Sequence, residues 1–332
     1  MKALVYTGTQ QVEYRDEPDP RLAAGEVVLR IDAVGICGSD MHAYHGHDPR
    51  RVPPLILGHE FAGEIVEGPA KGMRVTANPL IACGRCDNCL QGRGNLCSNR
   101  TMVGMTRPGA YAQFMAIPTS TLIELPEGLS PVHAALTEPA ATALHAINAA
   151  ARAAHRPLPE LSALVLGGGA VGLLAALLLA SYGVREIHLA ETNPLRRASA
   201  ANACPSARVF DPAAGPGPGE SAVNVVFDAV GATRTRALAL ASVAPGGVIV
   251  HVGLQDWASE IDMRKLTLAE ITLIGIYTYT TADMRATVRA IAAGALGDLA
   301  WVEERPLARG ADAFADLHHG RSAAAKIVLR PA

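Results

Sequence analysis

The stretch Leu164-Val165-Leu166-Gly167-Gly168-Gly169-Ala170-Val171-Gly172 constrains this chain more than any other. It sets G-x-G-x-x-G at Gly167, Gly169 and Gly172, between a strand-like run (Ala163 to Leu166) and a helical one (Val171 to Ser181). In that setting each glycine has a steric task. Gly167 permits a tight turn, Gly169 lets backbone approach a pyrophosphate, and Gly172 lets helix and strand pack closely. The unpaired N–H groups where Ala170 and Val171 open the helix attract phosphate. A strand, a turn and a buried helix also account for the 24 charge-free residues from Leu161 to Val184, which otherwise match the length of a membrane span. The next strand-like run, Ile187 to Ala190, ends at Glu191, nineteen residues after Gly172. A carboxylate there accepts ribose hydroxyls and repels a 2′-phosphate, which favours NAD over NADP. Arg196 and Arg197 pull the other way, since a guanidinium could hold that phosphate.

Around this unit the texture changes twice. Residues 1 to about 130 carry short Val/Ile/Leu runs broken by Gly and Pro, the pattern of an irregular, mostly antiparallel β domain. Ser130 caps a helix with Pro131 at its first position, and Pro139 breaks or restarts it before an alanine-rich continuation to about Ala154. Strand signals at Ala163–Leu166, Glu186–Ala190, Ala207–Phe210, Val223–Phe227 and Val248–Val252 then alternate with helical ones. Such alternation implies βαβ units and a parallel sheet, hence an α/β chain. Pro212 to Gly219 reads as a surface loop. After Ile276 one helix, about Ala282 to Ala292, precedes a closing strand, Lys326 to Leu329.

Four of the six cysteines, Cys83, Cys86, Cys89 and Cys97, fall within fifteen residues. Two-residue gaps bring thiolates to one tetrahedral ion, and a seven-residue excursion returns the fourth. Four sulfurs leave no place for water, so a zinc here would be structural, with an iron–sulfur cluster or two disulfides as the competing readings. A second, dispersed set contains Cys37, His59 and Glu60, with Asp40 suited to accept from a metal-bound imidazole. Thiolate, imidazole and carboxylate together suit zinc with an exchangeable position. Cys204 has no visible partner and reads as a packed thiol.

These motifs, with Gly109-Ala110-Tyr111-Ala112, Asp228-Ala229-Val230-Gly231, Pro245-Gly246-Gly247 and Lys326-Ile327-Val328-Leu329, resemble zinc-dependent medium-chain alcohol dehydrogenases nearly end to end. The branch it is similar to contains sorbitol and threonine dehydrogenases. The resemblance implies a GroES-like catalytic domain (1–145 and 277–332) interrupted by a Rossmann domain (146–276). It implies two zinc ions, the catalytic one held by Cys37, His59 and Glu138, with Glu60 bound directly or through a water. Glu138 stands in Leu136-Thr137-Glu138-Pro139-Ala140, where the ethanol-type branch has a cysteine. Ser39 and His42 take the places of a proton relay, although His42 also reads as an exposed loop histidine beside His45 and His47. The implied reaction is reversible hydride transfer from a secondary alcohol of polyol or sugar-alcohol type to NAD, giving a ketone. A threonine-type substrate is the alternative.

Two other classes share some of these motifs: a metal-free NADPH-dependent reductase of the same fold, and a non-enzymatic zinc-binding protein. Basic and acidic residues nearly balance, 29 against 31, which argues against nucleic acid or an anionic membrane as a partner. The opening MKALVYTGTQ shows no secretory signal, so a cytoplasmic location is expected. Ile271 to Tyr279 could pair across subunits, and relatives form homodimers or homotetramers. Arg50 and Arg51 read as solvated, or as contacts for an acidic substrate, and Tyr44 is a further candidate to face it.

Overall fold

Strand Glu26–Gly35 is buried along nearly its whole length, as a strand covered on both faces should be. In the computed structural model, which describes residues 1–215 and 217–331, it lies at the centre of a seven-stranded sheet. Pro216, inside the expected loop Pro212 to Gly219, falls outside the described residues. Antiparallel partners of the central strand are Glu60–Glu67, Phe114–Pro118 and Lys326–Arg330. Arg74–Ala77 and Leu122–Glu124 extend one side, and Val302–Pro306 closes the other by pairing parallel with Lys326–Arg330. A smaller sheet of Lys2–Gly8, Gln11–Asp16 and Leu55–Ile56 packs nearby.

Register decides what meets at the end of the central strand. Gly35 pairs with Glu60 and Val34 with Leu329, so Cys37, His59, Glu60 and Lys326 emerge together from three neighbouring strands. Gly63 makes this possible, because a Cβ there would lie 2.1 Å from the Arg30 carbonyl oxygen.

The second half builds a six-stranded, all-parallel sheet in the order Ala207–Phe210, Glu186–Ala190, Ser162–Leu166, Val223–Asp228, Val243–His251 and Thr272–Gly275. This is the doubly wound order, and its switch point lies between Ser162–Leu166 and Val223–Asp228, where the glycine loop sits. Two details depart from the sequence reading. The fifth strand begins at Val243 rather than Val248, because Pro245-Gly246-Gly247 stays within the sheet as an irregular start. Thr272–Gly275 adds a sixth, edge strand.

Ser130 caps helix Pro131–Ala135, and the chain restarts at Thr137 in a helix running to Ala153. Pro139 sits in its first turn, where the missing N–H has no intrahelical partner to lose. This helix packs against Ala170–Ser181 and Thr281–Ala292, sealing the largest apolar core. Strand Val302–Pro306 and helix Gly310–His318 were absent from the sequence reading. The strand is too polar to stand out; the helix carries only a short apolar stripe, Ala313, Phe314 and Leu317. No helix among the described residues is long and apolar enough to cross a membrane.

Candidate active site

Cys37 leaves the central strand and caps helix Gly38–Tyr44, its Sγ accepting from the Ser39 N–H at 3.4 Å while Asp40 accepts from the Cys37 N–H. One ligand atom each from Cys37, His59 and Glu60 lies within 4.8 Å of the others. That spread and the S, N and O donor set fit a zinc ion. Beneath the histidine, Asp40 Oδ1 stands 3.5 Å from Nδ1, and Tyr111 donates its hydroxyl to Asp40 Oδ2 at 2.7 Å. Burial opposes the Asp40 charge, but His59 and Arg51 outweigh it and hold the carboxyl well below the usual range. The same Asp40, with Cys37, raises His59 against the effect of its burial. With Nδ1 facing Asp40, Nε2 faces Ser39 Oγ at 3.4 Å.

Glu138, in the first turn of the long helix, is buried and accepts from the Tyr279 hydroxyl at 2.7 Å. Burial pushes its pKa up to about 7, with His59 pulling the other way. It stands beside the Cys37, His59 and Glu60 group without joining it. Glu60 is instead clasped by Lys326, whose Nζ lies 2.8 and 2.5 Å from its two carboxylate oxygens and 2.8 Å from the Ile36 carbonyl oxygen.

Several of these partners escaped the sequence reading. Lys326 was visible only as a charge opening an apolar strand. Arg51, read there as solvated or substrate-facing, is buried and donates to Asp48, Ser39 and the Gly104 carbonyl. Arg50 does remain exposed, its guanidinium on Asp48. Tyr44 faces the core instead of a substrate, its ring 5.3 Å from Phe314. Ser39 Oγ is engaged by Arg51, and His42 is half-buried with its pKa lowered by that burial.

The four clustered cysteines converge as well, all sulfurs within 4.8 Å of one another and none in a disulfide. Cys86 and Cys89 are 3.5 Å apart, Cys83 and Cys89 4.0 Å. Sulfurs at 2.3 Å from a tetrahedral ion would be separated by about 3.8 Å.

One cleft of about 610 Å³ joins the two halves. Cys37, His42, Glu60 and Lys326 line one part of it; Gly167, Gly169, Ala170, Val171, Gly172, Glu191 and Arg196 line another. Gly167 has φ +97°, and a Cβ on Gly172 would stand 1.8 Å from the Gly167 carbonyl oxygen. A Cβ on Gly169 would meet nothing within 4 Å, so this backbone lies open to a phosphate. Glu191 is buried, accepting from the Gly168 and Asn193 N–H groups at 3.0 and 2.7 Å and pairing with Arg196 at 3.2 Å.

Comparison with known proteins agrees with this geometry. Residues 23–127 match the alcohol dehydrogenase GroES-like domain and residues 170–293 the zinc-binding dehydrogenase domain. The chain is 30% identical to L-galactonate-5-dehydrogenase of Escherichia coli (strain K12), over 95% of its own length and 94% of the relative's. It is 32% identical to L-threonine 3-dehydrogenase of Rhizobium etli (strain CIAT 652), over 83% of each. Among solved structures, a zinc-binding dehydrogenase from Sinorhizobium meliloti 1021 bound to NADP superposes with a TM-score of 0.87 at 30% identity, covering 99% of both chains. A GroES-like β domain, a doubly wound sheet and one cleft between them thus agree with the matched sequences: the chain belongs to the zinc-dependent medium-chain alcohol dehydrogenase family, nicotinamide-linked oxidoreductases of secondary alcohols.

Proposed function

We propose that this enzyme oxidises a secondary hydroxyl of a polyhydroxylated substrate, a sugar alcohol or sugar acid, to a ketone, reversibly and with NAD. The supporting observation is the single cleft that carries Cys37, His42 and Glu60 together with the glycine loop. The relatives' names, for L-galactonate and L-threonine, point to a secondary hydroxyl on a carboxylate-bearing chain, so hydroxy-amino acids are the second class to test. Cys37, His59 and Glu60 would hold a catalytic zinc, with Glu138, which stands beside that group, as the further candidate ligand. When bound, zinc supplies Lewis acidity toward the substrate hydroxyl, and the oxidised nicotinamide supplies the hydride acceptor.

The chain's own groups do the rest. Asp40 fixes the orientation of His59, and Lys326 balances the Glu60 charge. The Ser39 hydroxyl takes the substrate proton, and His42, whose pKa burial lowers, receives it and passes it to solvent. Backbone N–H groups from Gly169 to Gly172 hold the pyrophosphate. Glu191 accepts the adenosine ribose hydroxyls and disfavours a 2′-phosphate, while Arg196 is already paired with it. Cys83, Cys86, Cys89 and Cys97 hold a second, structural zinc.

We assign residues 1–145 and 277–332 to the catalytic domain and 146–276 to the coenzyme domain; the return of Val302–Pro306 and Lys326–Arg330 to the first sheet supports this division. The exposed Leu273 on edge strand Thr272–Gly275 supports assembly into a homodimer or homotetramer. A cytoplasmic enzyme with a small-molecule substrate, and neither nucleic acid nor membrane as partner, completes the reading. The test is a panel of sugar alcohols, sugar acids, diols and hydroxy-amino acids assayed with NAD and NADP, beside metal analysis. Chelator-sensitive turnover that prefers NAD, with about two zinc ions per chain, is expected. Chelator-insensitive activity confined to NADPH would identify a metal-free reductase, and one zinc per chain would mean that one of the two sites is misassigned.

A further inference from the structure

Four of the eleven histidines gather where two helices of the β-rich half end side by side. Helix Gly38–Tyr44 runs into His45, and the chain turns through Gly46 (φ +75°) to His47. Helix Gly310–His318 ends at His318 and His319. His45 Nε2 lies 2.9 Å from His318 Nδ1, with ring centres 5.0 Å apart. The His47 ring is 5.8 Å from His45, and the His319 ring 4.7 Å from His318. Tyr44 packed on Phe314 holds the two helix ends at this spacing.

We propose that His45 and His318 chelate a late divalent transition-metal ion, Zn²⁺, Ni²⁺ or Cu²⁺, at a site separate from the cysteine cluster and from Cys37. Imidazole nitrogens suit these ions, and two nitrogens on one tetrahedral zinc stand about 3.3 Å apart, close to the spacing already present. Binding needs no net proton release. Each neutral ring keeps one N–H, which moves to His45 Nδ1 and His318 Nε2 as the hydrogen bond between the rings gives way to the metal. The remaining positions fall to water, or to the neighbouring exposed His47 or His319. The site borders the coenzyme cleft, since Met41, His42 and Leu317 from the same two helices line it.

The test is equilibrium dialysis of the zinc-loaded enzyme against Ni²⁺, with metal analysis, beside the His45→Gln and His318→Gln variants. One nickel per chain beyond the resident zinc is expected, weakened roughly tenfold or more in either variant and unchanged in His155→Gln, whose histidine lies outside the cluster. Quenching of tryptophan fluorescence by NADH verifies that each variant is folded. No added equivalent at about 1 mM free Ni²⁺, or binding that survives both substitutions, would overturn the assignment.

Discussion

Replacing Lys326 with methionine isolates the charge that the site places against Glu60. The two side chains are 2% and 1% exposed, so water cannot take over the lost contact. Methionine keeps most of the aliphatic stem and opens little cavity. What changes is electrostatic: a buried carboxylate and the Ile36 carbonyl both lose their donor. Removing one partner of a buried ion pair costs about 3–5 kcal/mol, and the carbonyl bond is worth about 1 kcal/mol within that total. Taking 4 kcal/mol as an approximate central value, and an unfolding entropy of about 2.1 cal/mol/K per residue over 332 residues, the Tm should fall by about 6 °C. Lys326→Met can be measured beside Glu60→Gln and the double variant, by urea unfolding at pH 7.5 and by thermal scanning of the metal-loaded protein. The double variant should regain at least half of the loss, because it leaves no unpaired charge. A single variant within about 1 kcal/mol of the parent, or a double variant no more stable than the single, would show that the pair does not carry this energy.

Three further outcomes follow from other parts of the molecule. Cys37→Ser should cut turnover about a thousandfold or more while leaving Tm and coenzyme binding near the parent's, and an active variant would remove Cys37 from the metal site. Glu191→Ser should lower kcat/KM for NAD about ten- to a hundredfold and raise that for NADP, as the ribose loses its acceptor and Arg196 is released toward a 2′-phosphate; an unchanged ratio would place selectivity elsewhere. Asp283 is buried, yet His145 and Thr280 hold its carboxyl down from 3.8 to about 2. A depressed carboxylate contributes stability that is complete above its unfolded value and disappears as pH falls from about 3.8 through 2. Asp283→Asn should therefore cost about 1–2 kcal/mol at pH 7, after allowance for solvent screening, and about 0.4 kcal/mol or less near pH 2; equal losses at both values, compared by urea unfolding, would exclude the charge as the cause.

Much of this protein was legible from local sequence, for a physical reason. A glycine turn between strand and helix, thiols two residues apart and a Ser-Pro helix start are short-range constraints in which chain geometry and chemistry coincide. Gly167 to Gly172, the four clustered cysteines and Ser130-Pro131 could therefore be read without knowing what packs against them. Even Cys37 and Glu60, distant in sequence, could be paired by residue type. Long-range register could not be read in the same way. Lys326 reaches Glu60 across 266 positions and Tyr279 reaches Glu138 across 141. Arg51 becomes a buried strut only because Asp48, Ser39 and the Gly104 carbonyl converge on it. Residue type announces that a charge can ionise; the tertiary structure alone decides whether water or a counter-charge surrounds it, and so whether a lysine ends as a surface group or as the partner of an active-site carboxylate.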